Sequence, residues 1–368
     1  MKIENVEIRY IKMKLVAPFK TSYGVEEFEE HIIVKINSEG LTGWGEVPVE
    51  PVPLYSYETV QTAWHILSDL LIPAILKKDI SRIEDHLGII KNFRGHPMAK
   101  GGVETALYDL FAQREKKSLS QFLGGTRNKI DVGVSIGIQS STSKLIEDIT
   151  GYLNKGYKRI KIKIEPGNDI EYIKAVRKEY PGILFQVDAN SAYTMQDLPL
   201  LKSMDEFDLL LIEQPLAHDD IYQHSLLQRE LKTNLCLDES IHSLRDAEAA
   251  LGMQSCRVIN IKPARVSGIH ESILIHNYCQ EHNIPVWHGG MLESGIGRAA
   301  NVALASLPNF TLPGDISASS RYYVEDIVDP LFELNNDGTI SAPTGHGLGV
   351  NVINEKLERV TVRKILLK

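Results

Sequence analysis

The chain has 368 residues, 43% hydrophobic and 24% charged, with a formal net charge of −8. This suits a globular protein with one large domain and a smaller one, and without a long Lys/Arg block it excludes a nucleic-acid partner or an acidic membrane surface. Cys236, Cys256 and Cys279 lack CxxC spacing, which argues against disulfides and a zinc knuckle and points to a reducing cytoplasm.

The first residues, "MKIENVEIRYIKMKLV", mix charge through their apolar positions and do not read as a signal peptide. No apolar run reaches membrane-spanning length. "VEIRYIKMKLV" and "EHIIVKINSEGLTGWGEV" are two strand candidates forming a hairpin-like start. Helical patterns follow at "SYETVQTAWHILSDLLIPAIL" and "AKGGVETALYDLFAQREKK". Residues 1–125 are therefore expected to form an α+β domain. Its loops "FKTSYG" (19–24) and "EPVPLYSYE" (50–58) combine Gly or Pro with aromatics, as lid segments do. Tyr23 and Tyr55 are the contact candidates there, and an ordinary aromatic core contact is the competing reading.

Over residues 126–330 short β-branched runs recur at steps of roughly 25 residues. They are "DVGVSIGI", "RIKIKI", "ILFQVDAN", "LLLIEQP", "NLCLDES", "RVINIKP", "IPVWHGG" and "FTLPGD", with helix-like stretches such as "DIEYIKAVRKEY" between them. Eight successive strand–helix units predict a closed (β/α)8 TIM-like barrel. A doubly wound sheet is the alternative, but "GVSIGIQSS" is a poor phosphate turn. The remaining residues, 331–368, carry an "NNDGT" turn between strand-like pieces and are expected to return to the first domain.

Lys163, Asp188, Glu213, Asp238 and Lys262 close five neighbouring strands at steps of 25, 25, 25 and 24 residues. In a barrel this puts one charged group at each carboxyl end, the face where barrel active sites lie. Gln186, Leu211, Cys236 and Asn260, two residues earlier, should point inward just below. Solvated strand ends would explain any one of these charges, but not five in one phase. Three carboxylates without cysteine or paired histidine form a hard oxygen site suited to Mg²⁺, with Mn²⁺ able to substitute. A salt-bridge cluster and a glycosidase carboxylate pair are the competing readings.

Lys161 and Lys163 project to the same side of "RIKIKI", where a covered sheet offers no water. A neighbouring cation lowers a lysine's pKa, so the pair reads as a tuned base, with Lys163 nearer the substrate. Lys161 would depress it and pair with a bound carboxylate. Arg265, three residues past Lys262, would act similarly on Lys262 if near it. A surface salt bridge at a helix start is the competing reading.

K-I-K at 161–163, "VDAN" (187–190), "IEQP" (212–215), "LDES" (237–240) and "NIKPARVSGI" (260–269) resemble the enolase superfamily, in its muconate-lactonizing subgroup. "MAKGGVETALYDL" and "PGDISASSRYY" extend the resemblance over nearly the whole chain. "GGMLESGIGRAANVALASLP" (289–308) is similar to the o-succinylbenzoate synthase and N-succinylamino acid racemase family. The resemblance implies that Asp188, Glu213 and Asp238 bind Mg²⁺, with Lys163 and Lys262 on opposite faces of the substrate. It also implies that Ser135, Lys161, Asn190, Gly290 and Met291 line the pocket, with Glu239 and Arg265 behind it and the first domain as a cap. The implied substrate is a small carboxylate bearing a succinyl group, and a homo-oligomer is compatible with the pattern. The implied reaction is dehydration through an ene-diolate, with racemisation of N-succinylamino acids as the alternative and a non-catalytic binding protein as a remote one. The His–Asp dyad of mandelate racemase and the D-x-D of dipeptide epimerases are absent, since Lys262 and "GDIS" stand in their places. His288 then stands behind the site or faces outward.

Overall fold

The computed structural model describes residues 1–368. Three strands open the chain as an antiparallel meander: β1 (Asn5–Lys20), β2 (Val25–Ser38) and β3 (Leu41–Val47). The stretch read as one second strand is thus two. It folds back at Glu39 and Gly40, whose φ angles of 50° and 79° suit a tight hairpin turn. A C-terminal strand, Thr361–Leu367, pairs with the other edge of β1 and makes the sheet four-stranded.

The long helix α1 (Pro97–Arg114) lies against this sheet and is buried on nearly every side. Gly43 and Gly45, two apart and so on one face of β3, permit that approach. A Cβ on Gly45 would fall 2.0 Å from the carbonyl oxygen of Gly102, and one on Gly43 2.1 Å from that of Ala106.

Seven parallel strands follow in sequence order: β4 (Gly133–Ile136), β5 (Arg159–Lys163), β6 (Leu184–Asp188), β7 (Ile212–Glu213), β8 (Leu235–Leu237), β9 (Val258–Ile261) and β10 (Val286–His288). A helix separates each from the next, and α2 (Gly295–Leu304) follows the last. The segment read as an eighth strand, residues 310–315, is not a regular one. Isolated parallel bridges join Phe310 to Val286 and Gly314 to Val132, and Gly133 donates its N–H to Gly314 at 2.8 Å. Residues 310–314 therefore span the gap between β10 and the start of β4. Pro313 has no N–H to give, which prevents a continuous ladder.

Outward residues of the strands, such as Ile160, Ile162, Phe185 and Val187, join the main apolar core beneath the helices. Inside the barrel, Leu211, Cys236, Val258 and Trp287 form a separate small cluster, the apolar floor below the polar strand ends. Lys129–Asp131 pairs with Thr339–Ser341, so the last part of the chain touches the barrel before it reaches the cap sheet. All three cysteines are buried and unpaired, and no helix is long and apolar enough to cross a membrane.

Candidate active site

Arg159, Lys161 and Lys163 all point into the barrel, because alternation on β5 sends Ile160 and Ile162 to the helices. Lys161 is buried, with Nζ 3.0 Å from Asp188 Oδ2, 2.8 Å from Glu213 Oε2 and 2.6 Å from Asp315 Oδ2. Burial opposes its charge, but Asp315, Glu213 and Asp188 outweigh that and hold its pKa well above the ordinary lysine value. This corrects the expectation from the sequence. Lys161 is no bare cation beside Lys163; its charge is already matched by three carboxylates. Its lower neighbour Arg159 pairs with Asp315 at 2.7 Å and lies over the Trp287 ring.

Lys163 donates to Asp188 Oδ2 and to Asn190 Oδ1, both at 2.6 Å. Asn190 sits just past the end of β6 with φ of 42°, a conformation asparagine tolerates better than most residues. Its amide also donates to Glu239 Oε1 at 2.8 Å, so Glu239 holds the side chain that accepts from Lys163.

Lys262 lies four strands further round, half the circumference of an eight-position barrel. It donates to Asp238 Oδ2 at 2.7 Å and to the Tyr55 hydroxyl at 3.1 Å, with Nζ 4.4 Å from the Tyr55 ring centre. Tyr55 in turn donates to Asp238 Oδ1 at 2.8 Å, which makes it a direct partner of the strand-end residues. Arg265 is buried here, pairing with Asp238 and donating to the carbonyl oxygens of Ile241 and Asn260. It is no surface residue. Burial and Arg265 both disfavour charge on Lys262, but Asp238 and Tyr55 prevail and raise its pKa. The expected lowering of Lys262 by Arg265 is therefore outweighed. Gly289 leaves room for this lysine: a Cβ there would fall 2.5 Å from Lys262 Cε.

One cavity joins these groups. Ser135, Lys161, Lys163, Asn190, Lys262, Gly290, Met291 and Asp315 line its barrel side, and Tyr23 and Tyr55 its cap side. The predicted pocket residues thus come together, including Ser135, whose buried hydroxyl oxygen has no hydrogen-bond partner. His288 points away from the barrel interior, with its ring beside Phe310 and Nδ1 against the Gly289 carbonyl oxygen. Asp315 is the residue the sequence reading missed. Its place at the end of the eighth barrel position was the available signal.

Asp188 and Glu213 are register partners on β6 and β7, and Asp238 ends the next strand. Burial, with the charges of Asp188 and Asp238, pushes the Glu213 carboxyl well above its usual range. Three crowded, hard oxygen donors of one sign fit a divalent cation. Their oxygens are turned toward Lys161, Lys163, Lys262, Arg265 and Asn260, and no three of the acids close around a single point. The chemistry and strand placement fit the ion; holding it requires these side chains to re-aim.

A capped barrel with acids and two lysines at its strand ends defines an enzyme-like class of fold. The chain belongs to the mandelate racemase and muconate lactonizing enzyme branch of the enolase superfamily. The signature "Mandelate racemase / muconate lactonizing enzyme, N-terminal domain" matches residues 4–124, and "Enolase C-terminal domain-like" matches residues 144–356. The chain is 45% identical to an o-succinylbenzoate synthase of Bacillus subtilis (strain 168), over 99% of this chain and 98% of that one. It is 46% identical to an N-succinylamino acid racemase of an Amycolatopsis species, over 99% of each. A solved enolase-superfamily structure from Listeria innocua superposes with a TM-score of 0.96 at 42% identity, covering 100% of this chain and 99% of that one.

Proposed function

We propose that this chain is an o-succinylbenzoate synthase dependent on a divalent cation, Mg²⁺ or Mn²⁺. It would dehydrate 2-succinyl-6-hydroxy-2,4-cyclohexadiene-1-carboxylate to 2-succinylbenzoate, a step of menaquinone biosynthesis in the cytoplasm. The observation that carries this reading is a pair of lysines half a barrel apart, Lys262 buried and Lys163 partly buried, facing one cavity with strand-end acids between them. Full-length similarity to proteins named o-succinylbenzoate synthase supports the choice of reaction. In this reading residues 1–125 cap the catalytic barrel of residues 126–330, and residues 331–368 tie the two together.

Asp188, Glu213 and Asp238 would hold the cation. When bound, it supplies positive charge for the second negative charge that a carboxylate gains as its α-proton leaves. Lys163 in its neutral form takes that proton from the ring carbon, then gives it to the departing hydroxyl, which leaves as water. The ring becomes aromatic. Lys262 remains a cation on the other side, held by Asp238 and Tyr55, and supports the delocalised anion. Tyr55 and Tyr23 from the cap help exclude water from the cavity.

Racemisation of N-succinylamino acids is a second reading, favoured by the two lysines on opposite sides of one cavity. Each would serve as base for one enantiomer. Assaying both substrates side by side decides between the readings. Exhaustive chelation should abolish either activity, and Mg²⁺ or Mn²⁺ should restore it. Full activity in the chelated enzyme would remove the metal from the proposal.

A further inference from the structure

Lys161 is held by acids on three sides, and the three are not equivalent. Asp188 and Glu213 belong to the group proposed to hold a divalent cation, whereas Asp315 does not. Yet the shortest contact is the one to Asp315. Lys161 Nζ lies 2.6 Å from Asp315 Oδ2, against 2.8 Å from Glu213 Oε2 and 3.0 Å from Asp188 Oδ2.

Asp315 is fixed from two directions. Its N–H donates to the His288 carbonyl oxygen at 2.8 Å. Gly290 leaves room for its own carbonyl, since a Cβ there would fall 2.7 Å from Asp315 O. The side chain is buried, with Oδ1 2.7 Å from Arg159 Nη2. Arg159 is fully buried in turn and donates to the Pro313 carbonyl oxygen at 2.9 Å. The carboxylate is therefore a fixed anchor on the side of Lys161 away from the other acids.

An ammonium and a divalent cation compete for the same carboxylate oxygens. Lys161 touches one oxygen of Asp188 and one of Glu213. The second oxygen of Asp188 accepts the Asn190 N–H, and that of Glu213 accepts the Asn260 amide. These second oxygens face neutral donors, which yield to an ion more readily than a buried cation does. Without Asp315, the charge of Lys161 would have only Asp188 and Glu213 to satisfy it and would close on them.

We infer that Asp315 is a positioning residue for metal binding: it holds the Lys161 ammonium back from Asp188 and Glu213, so that their oxygens stay available to a divalent cation. This rests on the reading of Asp188, Glu213 and Asp238 as the ligands of that cation. Asp315 itself touches neither the ion nor the substrate and acts through Lys161.

The test is calorimetric titration of the chelated protein with Mg²⁺, without substrate. Asp315→Asn should raise the Mg²⁺ dissociation constant at least about tenfold, because a neutral amide holds an ammonium more weakly. That variant also leaves Arg159 without its carboxylate. The companion Arg159→Met/Asp315→Asn removes the buried pair as a unit, keeps the net charge and should show the same loss. In a Lys161→Met background, adding Asp315→Asn should change the constant by less than about threefold. An undiminished loss in that background assigns the effect to the general field of the carboxylate and overturns the proposal. A wild-type constant in Arg159→Met/Asp315→Asn also overturns it. Mg²⁺ binding by Glu213→Gln as tight as that of the wild type, or no binding by the wild type, would fell the reading of the strand-end acids, and this proposal with it.

Discussion

Lys163 and Lys262 are held differently, although both end barrel strands. Lys163 donates to one carboxylate and one amide oxygen, and Asn190 is itself tied to Glu239. Lys262 is boxed by Asp238, Tyr55 and the nearby Arg265 guanidinium, which favours a standing cation over a roaming base. For racemisation each lysine can exchange the proton of only one enantiomer, because each approaches the α-carbon from one side. Lys163→Ala should abolish dehydration and leave exchange with a single N-succinylamino acid enantiomer. Lys262→Ala should exchange the opposite one. Each variant should racemise at least about 100-fold more slowly than wild type. Proton NMR in D₂O with separate enantiomers reads this directly, and exchange of the same enantiomer by both variants would refute the two-sided arrangement. At this scale the sequence was informative wherever strand phase could be counted. Tyr55 was visible only as a lid aromatic, because its link to Asp238 spans 183 residues.

Among the elements, the joint between cap and barrel has a specific chemistry. Glu46, near the end of β3, accepts from the Ser294 N–H at 2.9 Å, the Ser294 hydroxyl at 2.6 Å and the Gly297 N–H at 2.8 Å. A carboxylate from the cap thus sits at the N-terminus of barrel helix α2, where unpaired N–H groups favour negative charge. His31 on β2 braces it. Burial alone would lower the His31 pKa, but Glu29 and Glu46 raise it to about 10. The sign follows from that rise above an ordinary value near 6.5: the contribution is complete below about pH 6.5 and is lost as pH climbs through about 10. His31→Gln should lower stability at pH 6.5 by roughly 3 kcal/mol, since it leaves buried carboxylates without their cation. Urea midpoints should also fall less between pH 6.5 and 10 in the variant than in the wild type. An equal fall in both would exclude His31 as the source. The joint was not legible in advance, because Glu46 and Ser294 are far apart in sequence and share no periodicity. The regular helix–strand step made most of the barrel legible, and it failed where Pro313 interrupts the ladder, which is also where Asp315 was overlooked.

For the whole molecule, the barrel concentrates negative charge that only tertiary structure brings together. The register aligns Asp188 with Glu213, and Asp238 ends the adjacent strand, all three buried. The unfolded chain separates these residues by about one helix–strand unit each and offers no comparable site. A divalent cation should therefore bind the folded state in preference and stabilise it by mass action. At a free Mg²⁺ concentration about 100 times the dissociation constant, the gain is about 2.7 kcal/mol. With an unfolding entropy typical for a chain of this length, that corresponds to an upward shift in Tm of about 3 °C. The measurement is differential scanning calorimetry of the chelated protein with and without Mg²⁺, at constant ionic strength, with Ca²⁺ and Na⁺ as comparisons. Glu213→Gln removes the middle carboxylate of the three while keeping its size, and Asn260 still has an amide oxygen to donate to at that position. It should fold and show little or no shift. A wild-type shift of the same size in Glu213→Gln would place the bound ion elsewhere, and no shift at any Mg²⁺ concentration would argue that Lys161, already paired with Asp188 and Glu213, keeps the cation out.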